Sequence, residues 1–203
     1  MRTLTDEKRN AILAAASAVF QEFGYERASM NEVAKRAGGS KATLYNYFPS
    51  KEALFESVVR TYSTHYLTQA ASGLAGKEAA GLSLEEKLTV FGRRMLSVLT
   101  TDSQAMQLYR VVVGEAGHSD IGELFRESGV RESMTALTVL MQASMAQGAL
   151  AVSSPELRAK QFTSLVKAEV DELLLKREVE TLTEGRIEEM VQAAVTLFVK
   201  GAS

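Results

Sequence analysis

Between Ser29 and Lys51 the chain reads SMNEVAKRAGGSKATLYNYFPSK, a stretch rich in the groups that contact nucleic acid. Lys41, Thr43, Asn46 and Tyr47 offer an ammonium, a hydroxyl, an amide and a phenol within two turns of chain. Cations and hydroxyls of this kind bind phosphate, and a few side chains read base edges. To act together they must share one face of a short helix. Ser40 is placed to cap such a helix over Lys41–Tyr47, and Leu44 and Phe48 are spaced to face inward. That leaves the four polar residues outward.

A second short helix must come before it. Ser29 and Glu32 have capping-box spacing, and Met30, Val33, Ala34 and Ala37 make one apolar face. Gly38 and Gly39 end that helix, as glycine commonly does. A helix, a glycine-containing turn and a second, polar-faced helix form the helix-turn-helix pattern. Ahead of it, Ile12, Leu13, Ala16, Val19, Phe20 and Phe23 predict a first helix from about Thr5 to Phe23, the floor on which the pair packs, with Gly24 ending it. Pro49 separates the polar-faced helix from a fourth, which Ser50 caps and Lys51 begins.

The run Ile12 to Phe55 resembles the DNA-binding domain of the TetR family of bacterial transcriptional repressors. The resemblance is carried by AASAVFQEFGY (Ala15–Tyr25), SMNEVAKRAG, SKATLYNYF and SKEALF (Ser50–Phe55). Gly39 departs from it, since relatives often carry a small aliphatic residue there. The resemblance implies that Lys51 meets a phosphate and that Tyr45 and Tyr47 lie along the DNA backbone. Ser29 and the N–H groups behind it are implied to face phosphate. It places Lys41, Ala42 and Thr43 toward bases, with Ser40 at the head of their helix, and gives Asn31 and Asn46 bases or backbone. Lysine suits guanine, and the methyls of alanine and threonine suit thymine. Tyr45 is also readable as a core side chain beside Leu44. Lys35 and Arg36 read as a solvated face, and Arg2, Lys8 and Arg9 as a solvated terminus in preference to contacts with adjacent phosphate or the minor groove.

Composition sets wider bounds. The 203 residues allow one or two domains with a sizeable core. There is no cysteine, hence no disulfide and no thiolate metal site. No run of about 18 apolar residues suggests a membrane span, and the N-terminus lacks a signal core, so a cytoplasmic protein is expected. Residues 1–60 carry net +2 and residues 61–203 net −4, a mildly basic head on an acidic body. The two histidines, His65 and His118, fall in separate predicted elements. With no nucleophile elbow, phosphate loop or metal spacing, no enzyme, cofactor or metal is expected.

The remainder is expected to be helical, giving an all-α fold of about nine helices with no strand. Residues 1–50 are read as the helix-turn-helix domain and 51–203 as a helical effector-binding and dimerisation domain. The fourth helix is expected to run unbroken to about Ala71 on one stripe from Leu54 to Tyr66, linking head and body. A loop over 72–83, then helices over Leu84–Leu99 and Ser103–Glu115, follow. Next comes Ser119–Gly148, split at Gly129. The eighth helix spans Pro155–Lys176 and the ninth Thr183–Lys200. LYRVVVGEAG (Leu108–Gly117) and PELRAKQFTSLVKAEV (Pro155–Val170) resemble the C-terminal domain of the AefR- or AcrR-like branch.

That resemblance implies an effector site among the body helices. Phe91, Met95, Tyr109, Phe125, Met134, Leu137 and Phe162 are its expected lining, suited to an apolar or amphipathic small molecule. Taken by themselves, methionines there suit ordinary core filling better than a pocket. Glu169 falls within the apolar stripe of the eighth helix. It is expected to meet a cationic ligand, an arginine such as Arg110 or a partner subunit, or else to lie exposed at the edge of the stripe. Homodimerisation is expected through the eighth and ninth helices, because the stripe of the ninth has no following element to cover it. Two functions fit: a dimeric repressor released from double-stranded operator DNA by an effector, or a DNA-bound interaction protein that recruits a protein and senses no small molecule.

Overall fold

The computed structural model describes residues 5–75, 79–101, 104–178 and 181–202. Among these there is no strand; every regular element is helical. Arg2 of the expected solvated terminus and the expected helix start Ser103 lie outside the described residues, as do residues 76–78 of the expected loop. Two compact units emerge, one of residues 1–64 with 104–128 and one of 65–103 with 129–203.

The first unit begins with α1 (Asp6–Arg27), capped by the Thr5 hydroxyl. α2 (Met30–Arg36), α3 (Lys41–Tyr47) and α4 (Lys51–Val59) start on Ser29, Ser40 and Ser50, whose side chains accept from the N–H groups of Glu32, Thr43 and Ala53. Only half of the predicted capping box forms, because the Glu32 carboxylate accepts from Arg36 instead. After α2 the chain closes a Schellman turn: Gly39 N–H donates to Ala34, Gly38 N–H to Lys35, and Gly38 takes φ +62°. Ile12, Leu13, Ala16, Val19 and Phe20 of α1 are buried against Val33, Leu44, Leu54, Phe55 and Val58. Phe20, Tyr25 and Phe55 form an aromatic trio at 5.0–5.9 Å between ring centroids.

α8 (Gln104–Glu115) and α9 (Ile121–Phe125) complete this unit, burying Leu108, Val112 and Ile121 in the same core. The packing thus groups residues 51–64 and 104–128 with the head.

The fourth helix is not continuous. Its stripe is buried through Val59, and then a π turn over Arg60–Thr64 resets the register before α5 (His65–Ala75). Tyr62 and Tyr66 are only half-buried. A second π turn, Arg126–Val130, follows α9 and contains Gly129 at φ +139°. The buried Thr64 hydroxyl donates to the carbonyl of the buried Ser128, tying the two π turns together.

The second unit holds α5, α6 (Leu84–Leu96), α7 (Val98–Thr101), α10 (Arg131–Ala146), α11 (Pro155–Val166), α12 (Val170–Leu175) and α13 (Glu184–Ala202). Ser83 and Glu86 make a complete capping box at α6. The expected eighth helix breaks at Lys167–Glu169, giving α11 and α12. α13 packs on α6 and α11, and Val191 lies so close to Gly92 that a Cβ there would meet it at 2.9 Å. The stripe of α13, Ile187 to Phe198, is therefore covered within its own unit, with Phe198 and Phe162 rings 5.3 Å apart.

Candidate nucleic-acid interface

α3 presents one open face. Lys41, Ala42, Tyr45 and Asn46 are exposed, while Leu44 is buried and Phe48, just after the helix, is buried too. The Lys41 ammonium lies 5.8 Å from the Tyr45 ring centroid. Tyr45 is 41% exposed and is not a core residue. Thr43 is half-buried, its hydroxyl bonded to that of Ser40 at 2.9 Å. Ser29, Asn31 and Ser40 are exposed. The Tyr47 hydroxyl accepts from Thr5 N–H at 2.8 Å. Its own hydrogen stays available as a donor, so the N-terminal arm fixes Tyr47 without using it up.

Two cations, Lys51 expected at a phosphate and Lys8 read as part of a solvated terminus, are held by backbone carbonyls. Lys51 Nζ donates to Tyr25 O at 2.9 Å and Glu26 O at 3.1 Å, and sits 4.5 Å from the Tyr25 ring centroid. Lys8 Nζ donates to Ala37 O at 2.6 Å and Gly38 O at 3.2 Å, capping the exposed end of α2. Lys8 is therefore part of the helix-turn-helix scaffold and not a loose terminus. Gly39 faces it: a Cβ there would meet Lys8 Nζ at 3.3 Å. Arg36 bridges Glu22 at 2.7 Å and Glu32 at 2.9 Å, joining α2 to α1. These pairs are solvent-facing and contribute little singly. Lys35 is exposed.

The turn that leads into α2 is built from both sides. Gly24, at φ +77°, breaks α1 and leaves a single further turn, closed by Ala28 N–H to Gly24 O. The Glu115 carboxylate accepts from Tyr25 N–H and Glu26 N–H, each at 3.0 Å, capping the start of that turn. Lys51 caps its carbonyls. The Tyr25 hydroxyl donates to Glu52 at 3.2 Å. Burial, with Glu52 beside it, pushes the Tyr25 phenol well above its ordinary range, so it stays a donor. The backbone N–H of Glu52 and the Ser50 hydroxyl hold the Glu52 carboxyl below the usual carboxylate range. Sequence reasoning missed Glu115; only its place at the end of an amphipathic helix, before Gly117, marked it at all.

The expected effector-lining residues divide between the units. Tyr109 and Phe125, both half-buried, stack at 5.5 Å in the first. Phe91 and Phe162 lie 6.3 Å apart in the core of the second, where Leu137 is fully buried, Met95 buried and Met134 half-buried. Glu169 is exposed, pairs with Arg186 of α13, and borders a small cleft with Leu173, Lys176 and Met190. The outer face of α13 forms a shallow, mostly apolar groove lined by Gln192, Ala193, Thr196, Leu197 and Lys200, with Glu188 and Glu189 at one end.

A helix-turn-helix unit followed by an all-helical body defines a class of DNA-binding regulators. The chain matches the family described as bacterial regulatory proteins, tetR family, over residues 12–58, and AefR-like transcriptional repressor, C-terminal domain, over residues 86–201. The protein belongs to the TetR family, in its AefR-like branch. It is a DNA-binding transcriptional regulator and not an enzyme. Its fold is similar to that of the flavonoid-responsive regulator FrrA, with 33% identity over 98% of both chains and a TM-score of 0.70. A TetR family regulator from Pseudomonas syringae pv. tomato is 30% identical over 97% of both chains, with a TM-score of 0.70. The transcriptional activator FasR of Mycolicibacterium smegmatis is 47% identical over 57 residues, 28% of this chain and 26% of FasR. The chain thus matches only about a quarter of FasR's length. No described helix is long and apolar enough to cross a membrane.

Proposed function

We propose that this protein is a homodimeric, cytoplasmic repressor that leaves its operator when a small apolar or amphipathic effector binds residues 51–203. The observation that carries the reading is the face of α3, where Lys41, Ala42, Tyr45 and Asn46 stand exposed above a buried Leu44. One such face spans only a few base pairs, so useful affinity needs two heads on a pseudo-palindrome. Lys41, Ala42 and Thr43 face bases, Ser29, Tyr45, Tyr47 and Lys51 supply backbone contacts around them, and Asn31 and Asn46 reach bases or backbone. The subunits meet through α11 and α13, using the groove at Ala193 and Leu197. The effector lies against Phe91, Met95, Met134, Leu137 and Phe162 of the second unit, while Tyr109 and Phe125 belong to the first. The likeness to FrrA over nearly the whole chain favours a planar, flavonoid-like aromatic.

The test begins with selection of duplexes from a random library by the purified protein. A selected duplex is then titrated with and without a panel of flavonoids and fatty acids. Weaker DNA binding with one compound class supports the reading. Sequence-selective binding that no compound alters transfers it to the interaction protein, and tighter binding with a compound would mark an effector-dependent binder of DNA. A reporter gene under the selected duplex separates repression from activation.

A further inference from the structure

The turn Gly24–Ala28 is the only covalent route from α1 into the helix-turn-helix, so its geometry sets how α2 and α3 leave the floor. Once Gly24 breaks α1, the turn has an N-terminal end with unpaired N–H groups and a C-terminal end with unpaired carbonyls. Neither is satisfied locally. Glu115, ninety positions along the chain, places one carboxylate oxygen on Tyr25 N–H and the other on Glu26 N–H, both at 3.0 Å. Lys51 places its ammonium on Tyr25 O and Glu26 O. The charges match the dipole of the turn at each end. The fit at Glu115 is tight: a Cβ on Gly24 would come within 2.0 Å of its Oε1.

We propose that Glu115 is a positioning residue for DNA reading: its carboxylate latches the Gly24–Ala28 turn to the end of α8 and so fixes the heading of α2 and α3. It touches no DNA. The inference rests on the reading of α3 as the DNA-contacting helix.

The experiment uses the full chain and a duplex it has selected from a random library, beside a scrambled duplex. Binding is measured well below the melting temperature of each variant. Glu115→Ala lowers affinity for the selected duplex by roughly tenfold, within the ordinary range of coupling between separate sites. Affinity for the scrambled duplex holds or rises slightly, since a negative charge has been removed. Amide exchange at Tyr25 and Glu26 speeds up. Glu115→Gln, with one acceptor oxygen left, falls between. Gly24→Ala displaces the carboxylate but keeps its charge. It loses selected-duplex affinity with no gain on the scrambled one. Equal losses on both duplexes, or full retention of discrimination in Glu115→Gln and Glu115→Ala, overturn the proposal. If Glu115→Ala is too unstable to titrate, the glutamine variant decides by the same ratio. A wild-type protein that selects no duplex overturns the DNA-reading premise and this inference with it.

Discussion

Lys51 and Tyr25 hold each other twice: the ammonium donates to the tyrosine carbonyl at 2.9 Å and lies 4.5 Å from the centre of its ring. A residue expected at a phosphate is also a structural cap. Lys51→Ala should therefore have two effects. Losing charged hydrogen bonds to Tyr25 O and Glu26 O lowers stability by about 1.5–3 kcal/mol. If the ammonium also reaches a phosphate, the slope of log affinity against log salt falls by about 1. Denaturation and a salt series separate the two. An unchanged slope leaves Lys51 as a cap alone.

Lys41 is exposed at the start of α3. Lys41→Ala should relax base preference within one half-site by roughly 1–3 kcal/mol if its partner is guanine. The measurement is competition among single-base variants of a selected duplex. A uniform loss across all of them makes Lys41 a phosphate contact.

Phe198 is buried against Phe162, so Phe198→Asp would bury a charge and disrupt the protomer. Leu197, 62% exposed in the outer groove of α13, is the better probe. Leu197→Asp should give folded monomers by light scattering and abolish tight operator binding. A folded dimer would move the interface off α13.

An effector that releases DNA must bind the DNA-incompetent form better, by about 1.4 kcal/mol for each tenfold loss of operator affinity. Linkage is reciprocal. A flavonoid or fatty acid that weakens operator binding should itself bind more weakly, by the same factor, when operator is present. Calorimetric titration with and without the selected duplex gives both factors. A compound with equal affinity in both titrations is no inducer.

The head was legible in the sequence because its signals are local. Ser29, Ser40 and Ser50 cap helices that begin one residue later, and Gly24 and Gly38 break them at positive φ. The π turn at Arg60–Thr64 was not legible. RTYST contains neither glycine nor proline, and the apolar spacing through Tyr62 and Tyr66 reads as unbroken helix. The break at Lys167–Glu169 is equally unmarked, and it turns Glu169 outward to Arg186. The roles of Lys8, Lys51 and Glu115 as caps depend on partners 25 to 90 positions away, which periodicity cannot supply.

The first unit closes on itself only after the chain has left it and returned. α1 to α4 are laid down first, residues 65–103 belong elsewhere, and α8 and α9 then cover the remaining apolar surface with Leu108, Val112 and Ile121. During synthesis, which proceeds from the N-terminus, the reading helix emerges well before the segment that finishes its support. A nascent chain halted before residue 104 would carry α3 complete but its core open on one side. Cutting the gene after residue 64 to graft this head onto another body would leave the same surface bare, whereas a graft that carries 104–128 as well would bring the missing wall with it.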